Sequence, residues 1–382
     1  DLHLSIRRQR QMCKETAPKL FYEHLCRGML KLGFLPSASD PCPFIHTKDK
    51  AMVLNCCDDQ IWLSPDNSLI ESYVFSTARP PMDLELEDKG GVFGFLAIEF
   101  KLDGSIIQLL QTGLIEKVIK CTRKTEASGK TTPAACQPLG KEAEGEPFLE
   151  DWNYSAAVGM LLCLSSNSHP DIAFAVSQVA CFSHSHRKSH GQALKRVIHY
   201  LIETSNQGIC FEPRPEQGLD CCVDADFAGL FGCKDDQDPT SVKSRTGFVL
   251  TLFGCPVLWS SKLQTDITLT AEHVAFSMSM HELLPMQVLL QEIGTKLRLA
   301  HIQQSMVRST AFEDDMSTMS LINVPKMSTQ NKHLSLKCHF FQSQIDIDKG
   351  IVVKYIKTTE PVSYTHLTLP TNEGVDLGGR RI

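Results

Sequence analysis

The order of strands and helices that the pattern predicts after Gly218 constrains the fold of this chain more than any other feature. Apolar and β-branched runs predict strands at Leu219–Phe227, Gly247–Phe253 and Val257–Ser261, which together form a meander. A helix from Thr270 to about Lys296, interrupted by Pro285, follows, then a short strand into Phe312, a helix after Asp315 and a strand at Ile351–Ile356. This order predicts a mixed α/β sheet.

Two helical regions and one acidic hairpin precede this sheet. Lys14–Phe34 has helical periodicity and ends at Gly33. Two apolar segments from Tyr154 to about Phe182, and then Ser189–Leu201, predict helices that act as structural connectors. Residues 125–150 are rich in Thr, Gly, Pro, Lys and Glu, which indicates a linker.

Composition places the chain among globular proteins. With 382 residues, of which 42% are hydrophobic and 21% charged, it has material for two or three domains. The 15 cysteines include no C-x-x-C pair, which favours reduced thiols over a disulfide framework or a zinc site. The longest apolar stretches, Gly94–Phe100 and Met160–Leu164, are shorter than the roughly 18 residues typical of a membrane span.

The charge balance gives no general signature of nucleic-acid binding. The net charge is −6, so contacts with nucleic acid would have to be local. Two basic runs are candidates, although solvated helix faces explain such runs equally well: Arg7, Arg8, Arg10 and Lys14, and Lys117, Lys120, Arg123 and Lys124.

Asp58 and Asp59 lie between two apolar runs, which predicts two strands joined at an acidic turn. Asp is common in turns, so a purely structural turn is one interpretation. The other is that two adjacent carboxylates at a hairpin tip bind Mg²⁺, as carboxylates do in polymerases.

The residues around this pair, in order, are KETAPKLFYEHL, GFLPSASDPCPFI, NCCDD and GFLAIEF. Their order and spacing resemble the copia-type reverse transcriptase, in which the acidic pair follows an aromatic residue and a valine. Cys56 and Cys57 take those two places here. The resemblance puts the third polymerase carboxylate upstream of Asp1, so we expect no polymerisation by this chain.

The densest resemblance covers residues 131–300, through WNYSAAVGMLLCLSSNSHPDIAFAVSQVA, ALKRVIHYL, DADFAG, SRTGFVLTLFGCPVLWSSKLQ and ELLPMQVLLQEIG. In all, the similarity to copia-type retrotransposon Pol polyproteins extends over about residues 10–360. It implies an α/β (α+β) architecture. Its parts are a partial reverse transcriptase palm at 1–124, the linker at 125–150, a helical connection at 151–215 and a ribonuclease H-like mixed-sheet domain at 216–360.

The resemblance also implies a metal site. Asp224 in VDADFAG, Glu272 in TAEHVA and Asp314 in FEDD stand where a ribonuclease H needs carboxylates, and two-metal hydrolysis requires several that converge. We therefore expect Asp58, Asp59 and these three acids to bind Mg²⁺ or Mn²⁺ and to be catalytic. We interpret three further acids as solvated surface residues: Asp226, Glu313 and Asp315.

Two local departures from the family pattern concern this site. The stretch before Glu272 is two or three residues shorter than in the family, and His273 replaces a tyrosine. Further downstream, NKHLSLKCHFF resembles the family's Lys-His motif. It brings Lys332, His333 and His339 near the expected nucleic-acid path, although a structural role for these histidines is the commoner case.

The family implies the function, the partners and the location. It implies a fragment of an RNA-directed DNA polymerase and ribonuclease H in which the polymerase part is expected to be inert, with RNA–DNA hybrid, template-primer and the rest of the Pol polyprotein as partners. The expected location is a cytoplasmic virus-like particle and the nucleus, without a membrane. The alternative is a decayed, non-catalytic retroelement with residual nucleic-acid binding.

The two ends of the chain are treated separately from its fold. Asp1 stands where a start residue would be expected, so the chain reads as cut from a longer frame. The final residues, 361–382, resemble a translated sequencing adapter and are excluded from the fold prediction, with a short natural tail as the alternative. The family's fourth carboxylate would follow the last strand, but the match stops at Glu360.

Overall fold

The structure is a computed structural model that describes residues 18–356 with gaps. It leaves out 57–58, 81–83, 85, 87–93, 123–128, 136–138, 143, 230–240, 266, 268–269, 300–308, 324–344 and 346–349. The chain divides into two compact units: residues 1–96 with 285–306, and residues 97–284 with 307–382. The domain boundaries at 124, 150 and 215 stay a prediction. Among the described helices, none is long and apolar enough to cross a membrane.

The first unit is built on an antiparallel sheet of four strands in the order β1-β2-β3-β4. Helix α1 covers residues 18–31 and is followed by Gly33, whose φ of +89° suits a residue without a side chain. The remaining elements are β1 (Leu35–Pro36), β2 (Pro43–His46), β3 (Ala51–Cys56), β4 (Asp59–Leu63), α2 (Asn67–Thr77) and β5 (Gly94–Phe95). The core packs α1 on the sheet through Leu25, Met29, Phe34, Phe44 and Val53.

The second unit begins with the antiparallel strands β6 (Ile98–Asp103) and β7 (Ile106–Leu110), with β8 (Ile209–Phe211) paired to β7. Four helices surround one large apolar core: α3 (Thr112–Cys121), α4 (Tyr154–Asn167), α5 (Ala173–Ala180) and α6 (Lys188–Glu203). A short 3₁₀ turn at Pro170–Ile172 separates α4 from α5. The two predicted connector regions are therefore helical.

The described residues between 129 and 150, which belong to the predicted linker 125–150, contact α6. Their described part contains no helix and one isolated bridge, between Pro147 and Arg187. Several side chains of α6 bind this segment, and among them Nε2 of His190 lies 3.0 Å from the Gly140 carbonyl, Arg196 donates to Thr132 at 2.6 Å and Ser189 donates to Glu142 at 2.7 Å. The segment is thus attached to the helical connection by hydrogen bonds along its length.

A five-stranded sheet in the order β11-β10-β9-β12-β13 completes the second unit. It consists of β9 (Leu219–Asp226), β10 (Arg245–Leu252), β11 (Cys255–Leu263), β12 (Ser309–Glu313) and β13 (Ile351–Tyr355). The first three strands in the chain are antiparallel, whereas β12 is parallel to both β9 and β13. This is the ribonuclease H-like mixed sheet that the sequence predicted, with helices α7 (Ala271–Leu297) and α8 (Met316–Asn323).

Helices pack on both faces of this sheet. On one face, Thr246 of β10 donates to the sulfur of Met278 in α7. On the other face, Arg245 donates to Ser177 of α5 at 2.7 Å, and the indole N–H of Trp259 donates to the Ser165 carbonyl of α4 at 2.6 Å. This double cover explains why residues 245–250 are buried without alternation, as in strands that have no solvent face.

The predicted interruption of the long helix at Pro285 is wrong. Pro285 lies inside a continuous α7 of 27 residues. A proline removes one helical hydrogen bond, but packing on both sides compensates, because Phe276, Met280 and Leu283 before it and Leu297 after it are buried.

Candidate metal centre

Three carboxylates meet at one end of the five-stranded sheet. Asp224 lies near the end of β9 and is 3% exposed, Glu272 is the second residue of α7, and Asp314 directly follows β12. β9 pairs with β10 along its whole length, including Asp224 opposite Gly247, and with β12 from Leu219 to Cys222. The parallel pairing of β9 and β12 brings the ends that carry Asp224 and Asp314 to the same edge of the sheet.

The side chains of these acids converge. Each of Asp224, Glu272 and Asp314 offers one oxygen, and the three oxygens lie within 4.8 Å of one another. Oxygens bound to one Mg²⁺ at about 2.1 Å are separated by roughly 3–4 Å, so a small inward movement would bring all three to ligand distance. The structure therefore brings together the three residues that the sequence singled out in this sheet.

Two further observations fit a hard cation. All three donors are carboxylate oxygens, which Mg²⁺ and Mn²⁺ prefer. Oε2 of Glu272 is buried, and no hydrogen-bond partner reaches it from the described residues. Such an atom is costly without a partner, and a cation would satisfy it.

The electrostatics of the cluster favour the binding of a positive charge. Burial, followed by repulsion from Asp224, Asp314 and Asp315, raises the pKa of Glu272 to about 9, against a hydrogen bond from the Ala225 backbone that lowers it. Glu272 therefore holds a proton at neutral pH while the cluster is free of cations. Metal binding would release this proton, which makes metal affinity increase with pH.

Comparison with curated proteins places this arrangement in a family, although no protein-family model matches the chain. The chain is 28% identical over 361 residues to the retrovirus-related Pol polyprotein from transposon RE1 of Arabidopsis thaliana, with 93% of this chain and 23% of that protein aligned. It is 26% identical over 374 residues to the corresponding polyprotein from transposon TNT 1-94 of Nicotiana tabacum, with 94% and 26% aligned. These similarities over nearly the whole chain support a copia-type retrotransposon Pol polyprotein fragment.

A second Arabidopsis thaliana relative, the Pol polyprotein from transposon RE2, is 26% identical over 361 residues, with 93% of this chain and 23% of that protein aligned. This chain thus spans about a quarter of the length of the Pol polyproteins that it matches. The similarity covers nearly all of the present chain and includes both units.

The sequence interpretation was wrong about the burial of Glu313, which lies at this centre. It was expected to be a solvated surface acid, but it is fully buried. Its Oε1 accepts from the Asp315 backbone at 3.3 Å, and burial, followed by repulsion from Glu272, raises its pKa to about 9. The alternation of β12 was the available signal, because Ser309 and Ala311 face the interior and Glu313 is next in that register.

The other two acids near the centre have structural partners. Asp226 is half-buried opposite Arg245 in the β9–β10 ladder. Burial raises the pKa of Asp226, and the nearby Arg245 opposes that shift. Asp315 is partly exposed and caps α8, accepting from the backbone of Ser317 at 3.2 Å and of Thr318 at 2.7 Å. These bonds lower its pKa against the effect of burial.

His273, which replaces a tyrosine of the Pol family, is 1% exposed beside Glu272. Burial lowers its pKa, so it is neutral at physiological pH. Part of the shortened stretch before Glu272, residues 266 and 268–269, lies outside the described residues, as do Lys332, His333 and His339.

The acidic pair of the first unit is separate from this centre in the chain. Asp59 is exposed at the first residue of β4, opposite Cys56 in the β3–β4 hairpin, and Asp58 lies outside the described residues. The predicted hairpin is confirmed, but its metal-binding role stays a prediction. Of the basic candidates, Lys120 pairs with Glu116 at 3.1 Å on the exposed face of α3, whereas Arg7, Arg8, Arg10, Lys14, Arg123 and Lys124 lie outside the described residues.

Proposed function

We propose that this Pol chain carries a metal-dependent ribonuclease H that cleaves the RNA strand of RNA–DNA hybrids. The observation that supports it is the convergence of Asp224, Glu272 and Asp314 within 4.8 Å at one end of a ribonuclease H-like sheet. Hydrolysis of a phosphodiester by two metal ions requires such a set of carboxylates from separate elements.

The protein residues supply position and charge in this proposal. Asp224 is held by its pairing with Gly247 of β10, and Glu272 by the first turn of α7, so neither backbone has to move when a cation arrives. When bound, Mg²⁺ or Mn²⁺ activates a water and stabilises the leaving oxygen. Without cations the same carboxylates repel the phosphates of a substrate, so this part of the chain accepts nucleic acid only together with cations.

We propose that residues 1–124, which include most of the first unit, correspond to part of a reverse transcriptase palm. Asp59 at the start of β4 then belongs to the acidic pair of the polymerase, with Asp58 as its neighbour. The partners that follow from this assignment are the template-primer and the rest of the Pol polyprotein. The location that follows is a virus-like particle in the cytoplasm with access to the nucleus.

The test of the ribonuclease proposal is hybrid cleavage by the full chain. Three proteins are compared: the wild type, Asp224→Asn and the matched control Asp220→Asn, which lies on the same strand. Each is incubated with labelled RNA–DNA hybrid, RNA duplex or DNA duplex in Mg²⁺ or Mn²⁺. We expect cleavage of the hybrid alone. Asp224→Asn should lower its rate by more than the roughly 10–100-fold that loss of an outer-shell metal partner costs, with Asp220→Asn unchanged.

Two results would contradict this proposal. Equal cleavage by the wild type and Asp224→Asn would show that the acids are not the catalytic centre. Binding of hybrid by a folded wild type without cleavage at any metal concentration would favour the alternative, a retroelement protein that binds nucleic acid without cutting it.

A further inference from the structure

Large apolar side chains are exposed next to each of the three acids. Phe227 is 59% exposed and follows Asp224 by three residues. Met316, 61% exposed, follows Asp314 by two residues, and Ile267, 58% exposed, precedes Glu272 by five. A single exposed apolar residue is ordinary, but one close in sequence to each acid, in three separate segments of the chain, is a pattern that requires an explanation.

These three residues, which we call the apolar rim, are close to the acids along the chain. An extended chain advances at most about 3.6 Å per residue, so the Cα atom of Phe227 lies within roughly 11 Å of that of Asp224, and that of Met316 within roughly 7 Å of that of Asp314. Because the acid oxygens themselves lie within 4.8 Å of one another, Phe227 and Met316 are confined to the surroundings of the metal centre, whereas the same measure places the Cα atom of Ile267 only within roughly 18 Å of that of Glu272.

Phe227 is held in its exposed position by the turn that follows β9. Ala228 has a φ of +50°, in the left-handed region that a residue with a side chain seldom adopts. Its backbone N–H donates to Oγ of Ser244 at 3.2 Å. The chain therefore accepts a strained residue directly after Phe227, and the hydrogen bond fixes the turn that presents the aromatic ring.

The charges around the centre indicate what the rim contacts. The chain has a net charge of −6, and the centre itself is acidic, so general electrostatic attraction contributes little to binding a polyanion. In a base-paired hybrid the bases are stacked and covered, whereas the CH faces of the sugar rings remain accessible along a wide, shallow minor groove. Sugars and phosphates are also where most nucleic-acid contacts are made.

We propose that the apolar rim, and Phe227 above all, packs against the sugar rings of the hybrid beside the scissile phosphate and thereby positions that phosphate at the acids. This inference rests on the proposed ribonuclease H function. It makes Phe227 a substrate-positioning residue whose contribution to affinity is apolar and hence insensitive to salt.

The test measures hybrid binding without cleavage. All proteins are full chains that carry Asp224→Asn, and fluorescence anisotropy with a labelled RNA–DNA hybrid gives the Kd of each. The parent with Phe227 is compared with Phe227→Ala, Phe227→Trp and the control Leu149→Ala. The control removes an apolar side chain that is 86% exposed and distant in sequence from the acids. Burial of part of one phenyl ring corresponds to about a tenfold increase in Kd for Phe227→Ala. Phe227→Trp should restore the affinity, and the slope of log Kd against log salt should stay the same.

Three results would overturn the inference. A Kd for Phe227→Ala equal to that of Leu149→Ala would remove the rim from substrate binding, and if the wild type still cleaves hybrid through Asp224, the proposed function stands without it. A changed salt slope would show that the effect of Phe227 is electrostatic. A chain that neither binds nor cleaves hybrid would refute the inference and the proposed function together.

Discussion

Replacement of Glu313 by Gln should stabilise the second unit at neutral pH and flatten the dependence of its stability on pH. Glu313 is fully buried, and burial together with the neighbouring Glu272 raises its pKa to about 9 from an ordinary value of 4.5. At every pH between these two values, Glu313 therefore keeps a proton in the folded state that it has released in the unfolded state. The contribution of Glu313 to stability is complete below the lower value and is lost as pH rises through the upper one.

The magnitude follows from proton linkage. One proton corresponds to about 1.4 kcal/mol per pH unit, so from the ordinary pKa of 4.5 to pH 7 the free energy of unfolding falls by roughly 3 kcal/mol because of Glu313. Glutamine keeps the size and the acceptor oxygen that receives the Asp315 N–H, and it cannot ionise. The variant should therefore be more stable than the wild type by an amount that grows with pH.

The assay is urea unfolding in chelator from about pH 5 to about pH 9. Tryptophan fluorescence can be followed in a Trp62→Phe background, since Trp152 and Trp259 then report on the second unit. Asp220→Asn on β9 is the control for loss of a carboxyl group near the same sheet. If the profiles of Glu313→Gln and the wild type are parallel across this range, Glu313 is not a buried acid with a raised pKa.

Three other substitutions have defined outcomes. Leu161→Ala, in the fully buried core of the helical connection, should lower the free energy of unfolding by about 2–5 kcal/mol in thermal or urea unfolding. Glu292→Gln should destabilise the first unit by roughly 1–3 kcal/mol, because Glu292 accepts hydrogen bonds from Ser37 and Ser39. Although partial burial acts to raise the pKa of Glu292, its hydrogen bonds lower it to about 2. That loss should be seen above the ordinary carboxyl pKa and fade as pH falls toward the lowered one, in urea titrations at several pH values. Asp59→Asn should leave the rate of hybrid cleavage unchanged, since Asp59 lies in the other unit.

The order of elements in the ribonuclease H-like sheet could be predicted from sequence because each strand and helix has a local signature. The predicted ends of these elements also gave the positions of Asp224, Glu272 and Asp314 in the fold, since each acid stands at a strand end or a helix start. The convergence of the three depends on the pairing of β9 with β12, which joins residues about 90 positions apart in the chain, and it could only be inferred through the family resemblance.

Other features depend on contacts that leave no periodic signal. The cover of the sheet by α5 rests on single pairs such as Arg245 with Ser177, and the attachment of residues 129–150 to α6 rests on hydrogen bonds from otherwise ordinary polar residues. Pro285 was expected to break α7 because local propensity disfavours it, but the packing of the helix on both sides of this residue prevails. Glu313 is different, because its burial continues the alternation of β12, and only the cost of burying a carboxyl group argued against it.

Binding of Mn²⁺ to the full chain, measured by isothermal titration calorimetry at pH about 8, tests the metal centre most directly. We expect the wild type and Asp220→Asn to bind Mn²⁺ with release of protons, detected as a heat that changes with the ionisation enthalpy of the buffer. Asp224→Asn should bind it at least about tenfold more weakly. Equal affinity and equal proton release in the wild type and Asp224→Asn would contradict a metal centre built from Asp224, Glu272 and Asp314.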